Sequence, residues 1–162
     1  MSIQVRKAVS ADGQIILSLV EALAAYEKLA PPDQEARRRL LMDLFSPRPR
    51  IECYVAEADG EAAGYAFVLE TYSSFLALPT LYLEDLFVLP KYRGMKAGYA
   101  LFTAMVGEAR ARGCGRMEWT VLDWNELAIN FYRRSGARCM KEWQLYRLAK
   151  EDMERILDKE SH

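Results

Sequence analysis

The chain is 162 residues long, 51% apolar, 28% charged and 11% aromatic, which is the composition of one soluble globular domain and too apolar for a disordered chain. Its 22 Lys and Arg nearly cancel 23 Asp and Glu for a formal net charge of −1, so no global field draws nucleic acid or an anionic membrane, and any polyanion site has to be local. The single histidine is the terminal His162, which leaves a Ser-His-Asp triad, a Cys-His pair or a His-containing metal site without an imidazole. Cys53, Cys114 and Cys139 are far apart and form no CxxC pair, so neither zinc nor a disulfide framework is expected, and free thiols point to a reducing cytoplasm. The opening MSIQVRKAVSADG lacks the apolar core of a signal peptide, and no run approaches the roughly 18 apolar residues of a membrane span.

In chain order, Ile3 to Ala8 alternates as a short strand, and Ser10 to Gly13 offers capping chemistry for a helix that follows. In that helix Ile15, Ile16, Leu19, Val20, Leu23 and Tyr26 share one face, and Pro31-Pro32 ends it. A second helix starts at the N-cap candidate Asp33 and runs to Pro47, with Arg37 to Arg39 on solvated faces. Ile51 to Ala58 and Ala62 to Tyr72 are strand patterns separated by Asp59-Gly60, the strongest two-residue hairpin signal. Leu81 to Val88 is a further strand, followed by a helix from Ala97 to Arg112 bracketed by Gly113 and Gly115. Arg116 to Leu122 reads as a strand, Asn125 to Ser135 as a short helix closed by Gly136, Ala137 to Met140 and Trp143 to Leu148 as paired strands, and Lys150 to Asp158 as a terminal helix. The order β-α-α-β-β-β-α-β-α-β-β predicts an α+β domain spanning 1–162 in which the LYLEDLFV strand, the helix after it and RMEWTVL form a crossover between parallel strands.

Chemistry concentrates in two segments. YLEDLFVLPKYRGMKAGY, Tyr82 to Tyr99, reads as a strand, a tight glycine-containing loop and a helix start, where exposed backbone N–H groups and the helix dipole favour phosphate, with Arg93 and Lys96 adding positive charge. The second is DWNELAINFYRRSGA, Asp123 to Ala137. Together with LAAYE at Leu23 to Glu27, the P-x-YRG-xxx-G of Pro90 to Gly98, WNE at Trp124 to Glu126 and NFYRRSGA, the chain resembles the GNAT superfamily of N-acetyltransferases, and within it the spermidine/spermine (diamine) branch.

That resemblance implies a mixed, mostly antiparallel central sheet with a splayed parallel pair and helices on both faces, a homodimer, and acetyl-CoA as co-substrate without a metal. It implies that the backbone of Leu86, Phe87 and Val88 holds the pantetheine and acetyl group. It further implies that Arg93, Gly94, Met95, Lys96, Ala97, Gly98 and Tyr99 wrap the pyrophosphate, and that Asn125 and Ala128 line the other side of coenzyme A. One position departs: Lys96 stands where the usual R-G-x-G-x-G loop has its middle glycine, and its side chain either obstructs the pyrophosphate or pairs with it.

Acetyl transfer to an amine needs a deprotonated nucleophile, a stabilised oxyanion and a proton for the departing thiolate. An amine of pKa about 10 is protonated at pH 7, so a carboxylate has to take its proton. Glu84 and Asp85 sit inside an apolar strand, and alternation directs them to opposite faces; the resemblance favours Glu84 as the catalytic base. Tyr132 is the candidate acid, although beside Phe131 it also fits amphipathic packing, and an N–H near Phe87 or Val88 is the candidate oxyanion donor. Tyr26, Glu27, Glu84, Asp85, Trp119 and Trp143 match or lie near the branch's acceptor-binding positions, where carboxylates and aromatic walls suit an ammonium ion, and the two tryptophans fit core packing equally well. Cys114 and Cys139 have no histidine to activate them and are expected to be inert. The function expected is direct acetyl transfer to a small cationic amine such as a diamine or polyamine. The alternatives are an amino acid with a side-chain amine, a coenzyme A-binding protein with little catalysis, and a nucleic-acid or protein-binding module hinted at only by Arg133-Arg134 and Arg37 to Arg39.

Overall fold

The structure, a computed structural model, describes residues 2–161, so the lone histidine His162 lies outside the described residues. By internal contacts the chain divides into two compact units, residues 1–122 and residues 123–162.

The first unit holds a five-stranded sheet in the order β1 (Ile3–Lys7), β2 (Glu52–Ala58), β3 (Glu61–Ser73), β4 (Leu78–Val88) and β5 (Arg116–Glu118). The first three pairings are antiparallel, and β4 and β5 run parallel, the two strands being joined through helix α3 (Ala97–Ala111). Helices α1 (Gly13–Glu27) and α2 (Gln34–Phe45) precede β2. The local signals act as their chemistry requires. Asp33 Oδ1 accepts from the Ala36 N–H at 2.8 Å and caps α2. Asp59 and Gly60 both take positive φ, 49° and 85°, the backbone that a tight hairpin between twisted strands demands. The Arg37–Arg38 charges face water and pair with Glu21 and Glu35.

Alternation along the strands divides the core between two faces. On one, Cys53, Val55, Tyr65, Phe67 and Phe87 pack with Ile16, Leu19 and Leu44 of α1 and α2. On the other, Ala56, Ala66, Val68, Leu81 and Leu83 pack with Leu101, Met105 and Ala109 of α3. Each fully buried aliphatic side chain here contributes roughly 1.5–3 kcal/mol of transfer free energy. Ile15, predicted for the inner face of α1, is 44% exposed, and Leu17 is buried instead. At the far end of α3, Arg112 ties the helix to the sheet through Glu52 of β2 at 2.7 Å and is itself held by Glu108 of α3 at 3.0 Å.

The second unit contains α4 (Glu126–Arg134) and α5 (Lys150–Glu160). Here the strand expectations are corrected. β5 stops at Glu118, and residues 137–149 form neither helix nor strand, where the sequence pattern predicts two paired strands. The alternation of Trp143 to Leu148 is real, but a strand exists only against a neighbouring edge, and the described residues of the second unit contain none. None of its described residues is buried, and Met140, Trp143, Leu145, Tyr146 and Leu148 are exposed. No helix among the described residues is long and apolar enough to cross a membrane.

Candidate active site

The site begins with a strand that outruns its neighbour. The β4–β5 ladder ends at Tyr82 paired with Glu118, yet β4 continues to Val88, so its last six residues, 83–88, have no β5 partner. The Leu89 N–H donates to Ala63 O at 2.8 Å, and in an antiparallel ladder the backbone groups alternate in direction. Phe87, two residues earlier, therefore turns its N–H toward β3, and Leu86 and Val88 turn theirs to the open edge. Of the two expected oxyanion donors, Val88 turns its N–H to the open edge and Phe87 turns its N–H to β3. Gly64 sits opposite Val88; a Cβ there would overlap the Phe87 carbonyl oxygen and meet Val88 Cα at 3.0 Å, so glycine is what allows β3 to approach this stretch.

Beyond β4, Gly94 and Lys96 both take left-handed φ, 81° and 66°, and Lys96 is the N-cap of α3 without a side-chain cap of its own. This explains why the usual loop has glycine at the Lys96 position, since a side chain there costs about 1–2 kcal/mol of backbone strain. The first N–H groups of α3, at Ala97, Gly98 and Tyr99, have no intrahelical acceptor and form a positive end suited to phosphate. Lys96 and Met95 are exposed beside them, and a Cβ at Gly94 would meet nothing within 4 Å, so the loop has room for a ligand. An open groove of about 500 Å³ follows α3 past Met95, Lys96 and Tyr99 to Thr103.

A β-bulge determines the acidic part of the site. The β3–β4 register passes from Phe67 opposite Asp85 directly to Val68 opposite Leu83, leaving Glu84 as the extra residue. Leu83 packs toward α3, whereas Asp85, two positions on, meets the α1 side, where the Tyr65 hydroxyl donates to its Oδ2 at 2.8 Å. The Asp85 carboxyl is pushed up to about 6, by burial first and by the negative charges of Glu84 and Glu27, against the Tyr65 hydrogen bond, which pulls it down. Burial also raises the Glu27 carboxyl. Beside them the rings of Tyr26 and Phe87 lie 6.1 Å apart, and the Arg93 guanidinium stands over both, 4.8 Å from the Tyr26 centroid and 5.6 Å from that of Phe87. Arg93 Nε donates to the Val88 carbonyl at 3.1 Å, so its side chain serves this face and only its backbone remains with the loop before α3. Glu84 is exposed.

The structure thus brings Tyr26, Glu27, Asp85, Phe87 and Arg93 together. It does not add Trp119, whose ring packs edge-on against Phe102 at 5.6 Å in the α3 cluster on the opposite face. In the second unit, Asn125 caps α4 by accepting from the Ala128 N–H at 3.2 Å, which links two predicted cofactor residues in one motif. Tyr132 is half-buried on α4 and packs edge-on against Phe131 at 5.5 Å, and Trp143 is 73% exposed. Cys53 is buried with its thiol pushed up to about 12 by burial, Cys114 is half-buried and raised, and Cys139 is exposed. Sequence reasoning missed Tyr65 and Gly64. A phenol in a strand that is otherwise core needs a buried partner, and Asp85 is the carboxylate able to supply it.

Comparison with known proteins agrees with this geometry. Residues 21–137 match the acetyltransferase (GNAT) family. The chain is 33% identical to thialysine N-epsilon-acetyltransferase of Sus scrofa, over 98% of this chain and 99% of that protein. It is 43% identical to L-ornithine N5-acetyltransferase of Arabidopsis thaliana over 60% of this chain and 43% of that protein, and 30% identical to human spermidine/spermine N(1)-acetyltransferase-like protein 1 over 93% of this chain and 23% of that protein. Among solved structures, an integron cassette protein from V. cholerae superposes with a TM-score of 0.81 at 22% identity, covering 97% of this chain and 98% of that one, which supports the fold. With the sheet order, the overhanging β4 and the matched residues in agreement, the chain belongs to the GNAT family of acetyltransferases and is an acyltransferase of the kind that uses acetyl-CoA.

Proposed function

We propose that this protein transfers an acetyl group from acetyl-CoA to the primary amine of a small cationic acceptor such as a diamine or polyamine. The observation that carries the reading is the convergence of Glu27, Asp85 and the Tyr26 and Phe87 rings at the unpaired end of β4. Two carboxylates raised by burial, Asp85 also by the charge of Glu27, are stabilised by an incoming ammonium, and aromatic faces add cation–π attraction. Glu84, solvated on the bulge, takes the amine's proton through water; this assignment rests on the resemblance and on its exposure. Acetyl-CoA supplies the activated thioester. The backbone of Leu86 and Val88 receives its arm at the open edge, the Val88 N–H faces the developing oxyanion, and the loop and helix start from Arg93 to Tyr99 hold the pyrophosphate. On the match of the segment DWNELAINFYRRSGA, Asn125 and Ala128 line the cofactor and Tyr132 returns a proton to the thiolate.

A second reading, an amino acid with a side-chain amine, is favoured by Arg93, whose cation over Tyr26 offers a partner for an α-carboxylate. The names of the thialysine and ornithine relatives point the same way. Homodimerisation is part of the proposal, supported by the resemblance and by the exposed apolar side chains of residues 140–148. Three unpaired cysteines support a reducing compartment. Thiol release from acetyl-CoA with a panel of diamines, polyamines, ornithine-like amino acids and neutral-chain amines tests the reading; it requires turnover with cationic acceptors, and silence toward all of them would refute it.

A further inference from the structure

We propose that Tyr65 is a positioning residue of the acceptor site, its buried hydroxyl fixing Oδ2 of Asp85 so that Oδ1 and the charge face the incoming ammonium. The inference rests on the acceptor reading above but on a different residue. Tyr65 is 0% exposed, its ring held between β2 and α1 and packed edge-on against Phe67 at 4.8 Å. A tyrosine has two side-chain torsions, and packing on both sides of the ring immobilises both, so the hydroxyl is fixed in place before any ligand arrives. It is the one hydrogen-bond partner of the Asp85 carboxylate among the described residues. A carboxylate on a half-buried strand would otherwise rotate about its last torsion and present either oxygen, or neither, to the acceptor.

The hydroxyl also keeps Asp85 charged. Around the carboxyl stand Glu84 on the same strand, Glu27 and Tyr26 on α1, the Cys53 thiol on β2, and Arg93 above the Tyr26 and Phe87 rings. Burial and the two glutamates favour the neutral acid, and the Tyr65 O–H favours the ion because it can donate to it. The Tyr65 phenol is raised by burial and by Asp85, so it stays protonated and remains a donor throughout the working range. Cys53 is likewise a neutral thiol, and the Arg93 guanidinium stands 5.6 Å from the Phe87 ring centroid.

The test is Tyr65→Phe in the full chain, which keeps the ring and deletes the donor. Titration of the ¹³C-labelled Asp85 carboxyl by NMR needs no substrate, and the variant's midpoint should rise by about one pH unit. With a cationic amine, KM should increase about fivefold at pH 6 and about twofold at pH 7, following the lost ionised fraction of Asp85, and recover toward wild type near pH 9, where Asp85 is ionised in both proteins, while KM for acetyl-CoA stays unchanged. A purely structural tyrosine would shift neither the midpoint nor the pH dependence, and finding both unmoved overturns the inference. Asp85→Asn separates the two claims. If it leaves KM for every amine unchanged, the acceptor reading fails; if it raises KM while Tyr65→Phe does not, only the role of Tyr65 fails.

Discussion

Leu83 and Asp85 stand two positions apart on β4, yet Leu83 packs in the α3 cluster and Asp85 meets Tyr65 on the α1 side. The single extra residue Glu84 causes the reversal, because shifting a strand by one residue exchanges its faces. It leaves a half-buried carboxylate whose charge the fold itself does not need.

That carboxylate costs stability. Its folded value, about 6, lies above the roughly 3.9 of an unfolded aspartate, so the folded state binds this proton more tightly than the unfolded chain does. The associated stability is complete below about pH 4 and is lost as pH rises through about 6. Asp85→Asn should therefore be more stable than wild type at pH 7, on the order of 1–2 kcal/mol by urea unfolding, with no difference near pH 4 and with acceptor turnover sharply reduced.

Lys96 combines strain with charge. Lys96→Gly removes the left-handed strain at φ 66° and should raise stability by about 1 kcal/mol. Lys96→Ala keeps the strain and removes the ammonium, so calorimetry should show weaker acetyl-CoA binding, with a loss that shrinks as salt is added. Tighter binding by the alanine variant would make the lysine an obstruction.

Gly64→Ala places a methyl group against the Phe87 carbonyl and Val88 Cα, where the strand must yield. Displacing the open edge should lower kcat by about 10- to 100-fold with a smaller effect on thermal stability. Wild-type turnover would show that the Val88 backbone does not hold the acyl group.

Tyr132→Phe should lower kcat by about 10²-fold with acetyl-CoA binding intact, as expected of a lost proton donor. Unchanged turnover would remove Tyr132 from that role.

Much of the fold was legible because its signals are local. The Asp33 cap, the Asp59-Gly60 turn and the helical face of Ile16 and Leu19 depend on residues within a few positions of one another. The bulge at Glu84 was not, because nothing within LYLEDLFV marks an extra residue and its cause lies in the register with β3. The same limit produced the expected strands at 137–148, where alternation supplied a face but no neighbour. In the candidate site, the carboxylates and the glycine-containing loop before α3 are readable by residue type. Tyr65 is not, since its function arises from a hydrogen bond spanning 20 residues.

The central claim is that Glu27 and Asp85 select a cationic acceptor. It is tested most directly by kcat/KM for a diamine and for a neutral-chain monoamine, measured on wild type and on a Glu27→Gln, Asp85→Asn double variant whose acetyl-CoA binding is checked by thermal shift. The account predicts that wild type prefers the diamine, and that the double variant loses at least about tenfold of that preference while acetyl-CoA still raises its Tm. An unchanged ratio between the two amines would contradict it.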